Sequence, residues 1–211
     1  MKTRDRIISA AIPAFAARGR HGTHMEEVAK NAHINKAMIY YIFHSKDELY
    51  FEVLKFVLEQ TWRSIDPIKT EFRDRKEFRE ILSLFISSQI EFFFNNRDYT
   101  KILVDAMSSG SEEIARAVTS LKNDYKEYNG TDNLKTFIEN GKNAKAIRSV
   151  DTDQLMISII GMVLIYFLSP SINICLDIDV EDENRFLLTR RESIIDLVIN
   201  GIMTNTKKAN T

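Results

Sequence analysis

Residues 23–49 hold two short apolar patterns of helical period, Met25-Val28-Ala29 and Ile39-Ile42-Phe43, and between them His33 and Asn35 have turn chemistry. Helices this short are marginal alone and persist by packing on each other. Thr23 followed by Glu26 has the spacing of a capping box. The first helix then ends near Ala32, and His33 takes a turn position where a left-handed backbone is expected. Ile34 plugs the core, and Asn35 caps a second helix running from Lys36 to about Phe43. Ser45 caps the next helix, whose first turn carries Asp47 and Glu48 on the side the helix dipole favours. The segment therefore predicts two short helices across a tight turn, spanning about residues 24–43, and a longer helix leading away.

The rest of the chain fits the same architecture. Seven glycines and three prolines in 211 residues are few breakers, and no stretch alternates with the period of a strand. Thr3 caps a first helix reaching about Arg18, with Ile7, Ile8, Ala11 and Phe15 inward and a kink expected at Pro13. Further helices are predicted at about 46–64, 76–95, 99–107, 112–140 (with a break near Asn129-Gly130), 152–168 (capped by Thr152) and 183–203, with a solvated acidic loop at 171–183 and a frayed tail from Lys207. The expected fold is all-α with about nine helices. An N-terminal helix-turn-helix domain of three helices occupies residues 1–61, and a C-terminal helical domain for ligand binding and dimerisation occupies 62–211. The fourth helix runs unbroken across that boundary.

Charge is distributed unevenly. Residues 1–50 carry eight Lys/Arg against five Asp/Glu, while the whole chain is at −1, and all four histidines lie in those first fifty residues. A basic head on an acidic body suits a polyanionic partner. Four histidines invite a metal reading, but none stands at ligand spacing with a cysteine or carboxylate, so no metal and no cofactor is expected. There is no phosphate-cradling glycine loop and no supported nucleophile–base arrangement, which argues against an enzyme. A single cysteine, Cys175, and the lack of a secretory or membrane-spanning pattern lead to the expectation of a cytoplasmic protein that does not engage a membrane.

With Ile39, Ile42 and Phe43 inward, Lys36, Ala37, Met38, Tyr40, Tyr41 and His44 are left for the outer side. A major groove about 12 Å wide admits one such helix. Lys36 and Lys46 can neutralise phosphate or read guanine, and Thr23 and Lys46 stand near helix N-termini that attract anions. The tyrosines can donate to phosphate and pack on sugars or thymine methyls. The run Phe15…Gly19, Gly22-Thr23, Glu27-Val28-Ala29, Ile34-Asn35-Lys36 and Ile39-Tyr40-Tyr41-x-Phe43-x-Ser45-Lys46-x-x-Leu49 resembles the DNA-binding domain of the TetR/AcrR family of bacterial transcriptional regulators. The resemblance covers about residues 3–55. It implies a homodimer on a palindromic double-stranded DNA operator, acting as a repressor and released by a small-molecule inducer held in the carboxy-terminal body. Carried onto this chain, it implies DNA contacts at Thr23, Lys36, Ala37, Met38, Tyr40, Tyr41, His44 and Lys46. The family usually has glycine where His33 stands, serine at Asn35, glycine at Ala37 and threonine at Met38. The added bulk at Ala37 and Met38 implies an operator sequence of its own.

In the body, candidate ligand-binding residues are Phe85, Gln89, Phe93, Met107, Tyr125, Tyr128 and Tyr166, an aromatic set with a few polar ends, as a pocket requires. The helices at 152–168 and 183–203 are apolar on more than one face, so a second copy is expected to cover the outer side in a two-fold four-helix bundle. The alternative from another class is a helical sensor or scaffold whose head binds a protein partner instead of DNA; steep salt dependence separates the two.

Overall fold

The computed structural model describes residues 2–65, 68–124, 131–169 and 171–203. Eleven helices run through them: α1 (Thr3–Gly22), α2 (Met25–Asn31), α3 (Lys36–Phe43), α4 (Lys46–Ile65), α5 (Arg75–Asn95), α6 (Arg97–Ser108), α7 (Ser111–Asp124), α8 (Asp132–Asn143), α9 (Thr152–Leu168), α10 (Ile172–Cys175) and α11 (Glu183–Ile202). Among the described residues no strand forms, and an isolated antiparallel bridge pairs Ile147 with Met203. The all-helical expectation holds.

Two helices come on top of the expected nine. The stretch expected over 112–140, counted there as one helix with a break near Asn129-Gly130, is two helices, α7 and α8. The stretch expected as a loop at 171–183 contains α10, a single turn. It is closed by two bonds, Ile178 N–H to Asn173 C=O and Asp177 N–H to Ile174 C=O, with Asp177 at φ 53°. That double closure satisfies the last carbonyls of even a very short helix.

Several caps also differ from expectation. Lys2, not Thr3, precedes α1, and the Asp5 carboxylate accepts from its N–H at 3.2 Å. The break in α1 falls beyond Pro13, at Gly19 (φ 66°, ψ 177°). Asp151, not Thr152, caps α9 by accepting from Gln154 N–H at 2.9 Å, while the buried Thr152 hydroxyl donates to Glu139. In both cases the free N–H lies three residues from a carboxylate, which accepts a charge-assisted bond. Ser45 caps α4 as expected, accepting from Glu48 N–H at 3.0 Å.

Packing divides the chain into two compact units, one built from residues 1–61 with 96–128, the other from 62–95 with 129–211. Chain order alone groups the helices differently, since α6 and α7 pack with the amino-terminal helices. In the first unit, Ile7, Ala11 and Phe15 of α1 and Val28, Ile39, Phe43, Leu49 and Val53 are all essentially sealed from solvent. Phe15 and Tyr50 pack edge to face with centroids 5.1 Å apart.

The second unit is built on α5, α8, α9 and α11. Its core includes Phe78, Leu82, Phe85, Ile86, Phe93, Phe137, Ile159, Val163, Phe167, Ile194 and Val198. Phe78 stacks on Phe137 with centroids 4.4 Å apart and planes 6° from parallel. This stack leans on the backbone of α8: a Cβ added at Gly141 would stand 2.4 Å from Phe78 Cε2. Alanine in place of glycine on an open helix face gains about 1 kcal/mol. Here the overpacking cost of about 1–3 kcal/mol exceeds it. Gly141→Ala is therefore expected to lower stability by roughly 1 kcal/mol in urea titration, and Gly141→Ala joined to Phe78→Leu to recover part of that loss.

Candidate nucleic-acid interface

The α2–α3 hairpin is fixed by its backbone before any side chain is considered. Ile34 N–H bonds Ala29 C=O at 3.0 Å and His33 N–H bonds Lys30 C=O at 3.1 Å, with His33 at φ 52°. This is the doubly bonded C-terminal motif that usually calls for glycine. A positive φ at histidine costs of order 1 kcal/mol, which the surrounding packing sustains. Arg6 reaches from α1 to donate to Ala32 C=O at 2.7 Å, closing the same helix end. Asn35 then caps α3, its Oδ1 accepting from Met38 N–H at 2.8 Å. Ile34 is half-buried and does not reach the sealed core.

With α3 held this way, Ile39 and Phe43 are buried to 1% exposure or less, whereas Tyr41 is 80% exposed. Lys36, Ala37, Met38, Tyr40 and His44 are exposed beside it. Six of the eight predicted contact residues therefore share one solvent-facing surface. His44 ends α3 at φ 58°, which turns the chain into α4.

The other two predicted contacts are built differently. Thr23 is 3% exposed, and its hydroxyl donates inward to Ala14 C=O at 3.0 Å and Gly19 C=O at 2.8 Å. His24, not Thr23, is the N-cap of α2, and its side chain makes no capping bond. The capping-box reading of Thr23 and Glu26 is thus corrected. The cause lies upstream: Gly19 breaks α1 and strands carbonyls near its end, and Thr23 is the nearest hydroxyl. Lys46 does the same from the other side. Its ammonium donates to His21 C=O at 2.8 Å and Thr23 C=O at 2.9 Å, so it ties α4 to the exit of α1.

Behind this junction lies a polar cluster that sequence spacing gave no means to find. Arg20 donates to Asp47 at 3.0 Å and to Glu113 at 2.7 Å. Asp105 of α6 accepts from the Arg20 backbone N–H at 3.1 Å and from the Tyr50 hydroxyl at 2.7 Å. Burial, then the bond to Asp105, holds the Tyr50 hydroxyl well above the usual tyrosine range. The bond to Arg20 keeps Asp47 below the usual carboxylate range, against a smaller opposing effect of burial.

Lys36, the one lysine on the exposed surface of α3, is not free in the protein alone. It pairs with Glu26 at 2.5 Å and lies 5.8 Å from the Tyr40 ring centroid. The hydrogen bond between them raises the lysine and lowers the glutamate from their ordinary ranges. Glu26 was read from sequence as a cap; the fold places it on the same surface as α3.

The residues predicted to bind a ligand do not gather around an opening. Phe85, Gln89, Phe93 and Tyr166 are buried in the second unit. The Gln89 amide donates to Ser64 C=O at 2.9 Å and its carbonyl accepts from the Ser64 hydroxyl at 3.3 Å. Tyr166 donates to Glu183 at 2.6 Å. Met107 lies on α6 in the first unit and is exposed. Tyr125 and Tyr128 lie outside the described residues. An open groove of about 430 Å³ does run between α5 and α11, lined by Ile90, Phe94, Leu187 and Arg191 among others, none of them predicted. Among the described residues no three His, Cys, Asp or Glu side chains gather as a metal site, and no helix is long and apolar enough to cross a membrane.

Comparison with known proteins places the hairpin. Residues 7–53 match the family model for bacterial regulatory proteins, tetR family. Over 78 residues the chain is 32% identical to the HTH-type transcriptional regulator RutR of Escherichia coli, covering 37% of each. Over 85 residues it is 31% identical to the HTH-type transcriptional repressor NicS of Pseudomonas putida, covering 40% of each. The chain thus spans about two-fifths of the length of these curated relatives. Likeness in fold extends much further. The TetR family transcriptional regulator PfmR of Thermus thermophilus superposes with a TM-score of 0.69 at 19% identity, over 97% of this chain and all of that one. The transcriptional regulator FadR of Bacillus subtilis, solved with stearoyl-CoA, gives 0.68 at 18% identity over 93% and 98%.

Proposed function

We propose that this chain, whose residues 7–53 match the family model for bacterial regulatory proteins, tetR family, is a dimeric transcriptional repressor that binds a palindromic operator and leaves it when a small molecule occupies the helical body. The observation that carries the reading is the two-sidedness of α3, sealed at Ile39 and Phe43 and open at Tyr40 and Tyr41. A helix held rigidly from behind and polar-aromatic in front is the reading element of a helix-turn-helix. Lys36, Ala37, Met38 and His44 complete the DNA face. Thr23 and Lys46 hold that face in position from behind.

Pairing of two copies through α9 and α11 is supported by apolar side chains left on their outer sides, among them Ile157, Ile165, Leu188 and Leu197. Two recognition helices then meet successive major grooves about 34–36 Å apart. The inducer acts by favouring the state whose heads miss that spacing, transmitted through α4. FadR was solved with stearoyl-CoA, which makes acyl-CoA thioesters the first compounds to screen for release of DNA.

The test begins with selection of bound duplexes from a random pool. On the selected operator, Lys36→Ala is expected to reduce the salt slope of log K by about one, since one phosphate contact is lost. Lys46→Ala is expected to leave the slope unchanged and to lower thermal stability, because its ammonium is already bonded to two carbonyls. Absence of any bound duplex at low salt would favour a protein-binding head.

A further inference from the structure

We propose that Glu26 is a specificity-determining residue of the DNA face, suppressing binding to unrelated sequence by holding Lys36 and releasing it only on the operator. This deepens the DNA-binding reading above and rests on it. Glu26 and Lys36 are ten residues apart, on different helices of the hairpin, yet their charged ends meet at 2.5 Å. Both are largely exposed, with side chains 67% and 45% accessible. The pair therefore stands where a duplex would approach, in the same patch as Tyr40.

The neighbouring carboxylate is placed differently. Glu27 is half-buried and faces Arg18 at 3.6 Å. Glu26 is thus the acid that belongs to the surface of α3.

An exposed carboxylate on a phosphate-binding surface has two physical consequences. It repels the backbone of any duplex, and it occupies the ammonium that would otherwise neutralise a phosphate. Both weaken binding to every sequence alike. On a duplex that offers a donor, the balance changes. A glutamate in the major groove accepts from an exocyclic amino group, cytosine N4 above all and adenine N6 as well, which guanine and thymine do not offer there. Glu26 then exchanges Lys36 for a base, and Lys36 is free to take a phosphate or guanine. The pair opens only where both replacement partners exist. The ligand class is accordingly a duplex carrying a base with a major-groove amino group, cytosine or adenine, at the step facing the first turn of α2.

Counterion release reads this directly. In wild-type protein on random-sequence duplex, Lys36 is spent on Glu26 and releases no counterion. On the operator it releases one. Glu26→Gln keeps size and hydrogen bonding and removes the charge. It is expected to bind random-sequence duplex roughly fivefold tighter at low salt, with a salt slope steeper by about one. The double variant E26Q/K36A should return that slope to the wild-type value. On the selected operator, Glu26→Gln should lose its preference among bases at one position and tolerate replacement of the amino-bearing base there, which the wild type rejects. Because both side chains are exposed, circular dichroism and thermal unfolding should be unchanged, which separates a binding effect from misfolding. Equal affinity of wild type and Glu26→Gln for random duplex, at equal slope, overturns the role of Glu26 and leaves DNA binding intact. Failure of both proteins to bind any duplex overturns both.

Discussion

A glutamate placed at position 161 is expected to give a folded monomer that has lost most of its operator affinity. Gly161 lies midway along α9 between the exposed Ile157 and Ile165, one helical turn from each. A Cβ built there meets no atom within 4 Å. Inside one subunit the change is therefore harmless, and any residue but proline improves on glycine by up to about 1 kcal/mol in a helix. Across a two-fold interface the same change puts two like charges into apolar contact, at a cost of several kcal/mol. Sedimentation equilibrium should move from dimer to monomer while the thermal transition holds or rises. With one recognition helix left per particle, operator affinity should fall by about 10²–10⁴, the usual gain from linking two sites. A Gly161→Glu protein that remained a dimer with unchanged affinity would remove α9 from the interface.

Asp105→Ala is expected to cost about 2–4 kcal/mol. Two donors would lose their acceptor at once, the Tyr50 hydroxyl and the Arg20 backbone N–H. Tyr50 is 1% exposed, so water cannot replace the carboxylate without rearrangement. Each orphaned donor costs about 1–3 kcal/mol. One effect opposes this: Asp105, Asp47 and Glu113 all crowd Arg20, and removing one carboxylate relieves repulsion. That relief is the smaller contribution because Asp47 is mostly solvated. Asp105→Asn keeps an acceptor for both donors and should lose less than half as much. The same comparison should appear in DNA affinity, since the cluster braces the α1–α2 junction that Lys46 ties to α4. Equal unfolding midpoints for Asp105→Ala and wild type would show that the cluster does not brace the fold.

The reading surface was legible because it depends on neighbours in sequence. Asn35 caps α3 by reaching three residues ahead, and the spacing of Ile39 and Phe43 leaves Tyr40 and Tyr41 no choice but to face out. The inward bonds of Lys46 and Thr23 were hidden for the opposite reason. Their partners are carbonyls stranded by the break at Gly19, and nothing in the local pattern shows that a glycine near a helix end will demand two side chains from elsewhere. The partner of Gln89 is hidden in the same way: its amide looks unpartnered in sequence, and Ser64, 25 residues away, stands against it.

Residue order by itself determined the helical class, the hairpin of α2 and α3, the left-handed turn at His33 and the outward face of α3. Each follows from hydrogen bonds and side-chain periodicities that close within a few residues. Tertiary structure alone decided the pairing of Glu26 with Lys36, the bracing of Arg20 and Tyr50 by Asp105, the grouping of α6 and α7 with the first helices, and the need for glycine at 141 against Phe78. These contacts join groups up to 93 residues apart in the chain. Their energies depend on distances of a few ångströms that no local pattern encodes, because electrostatic and packing forces act through space and not along the backbone.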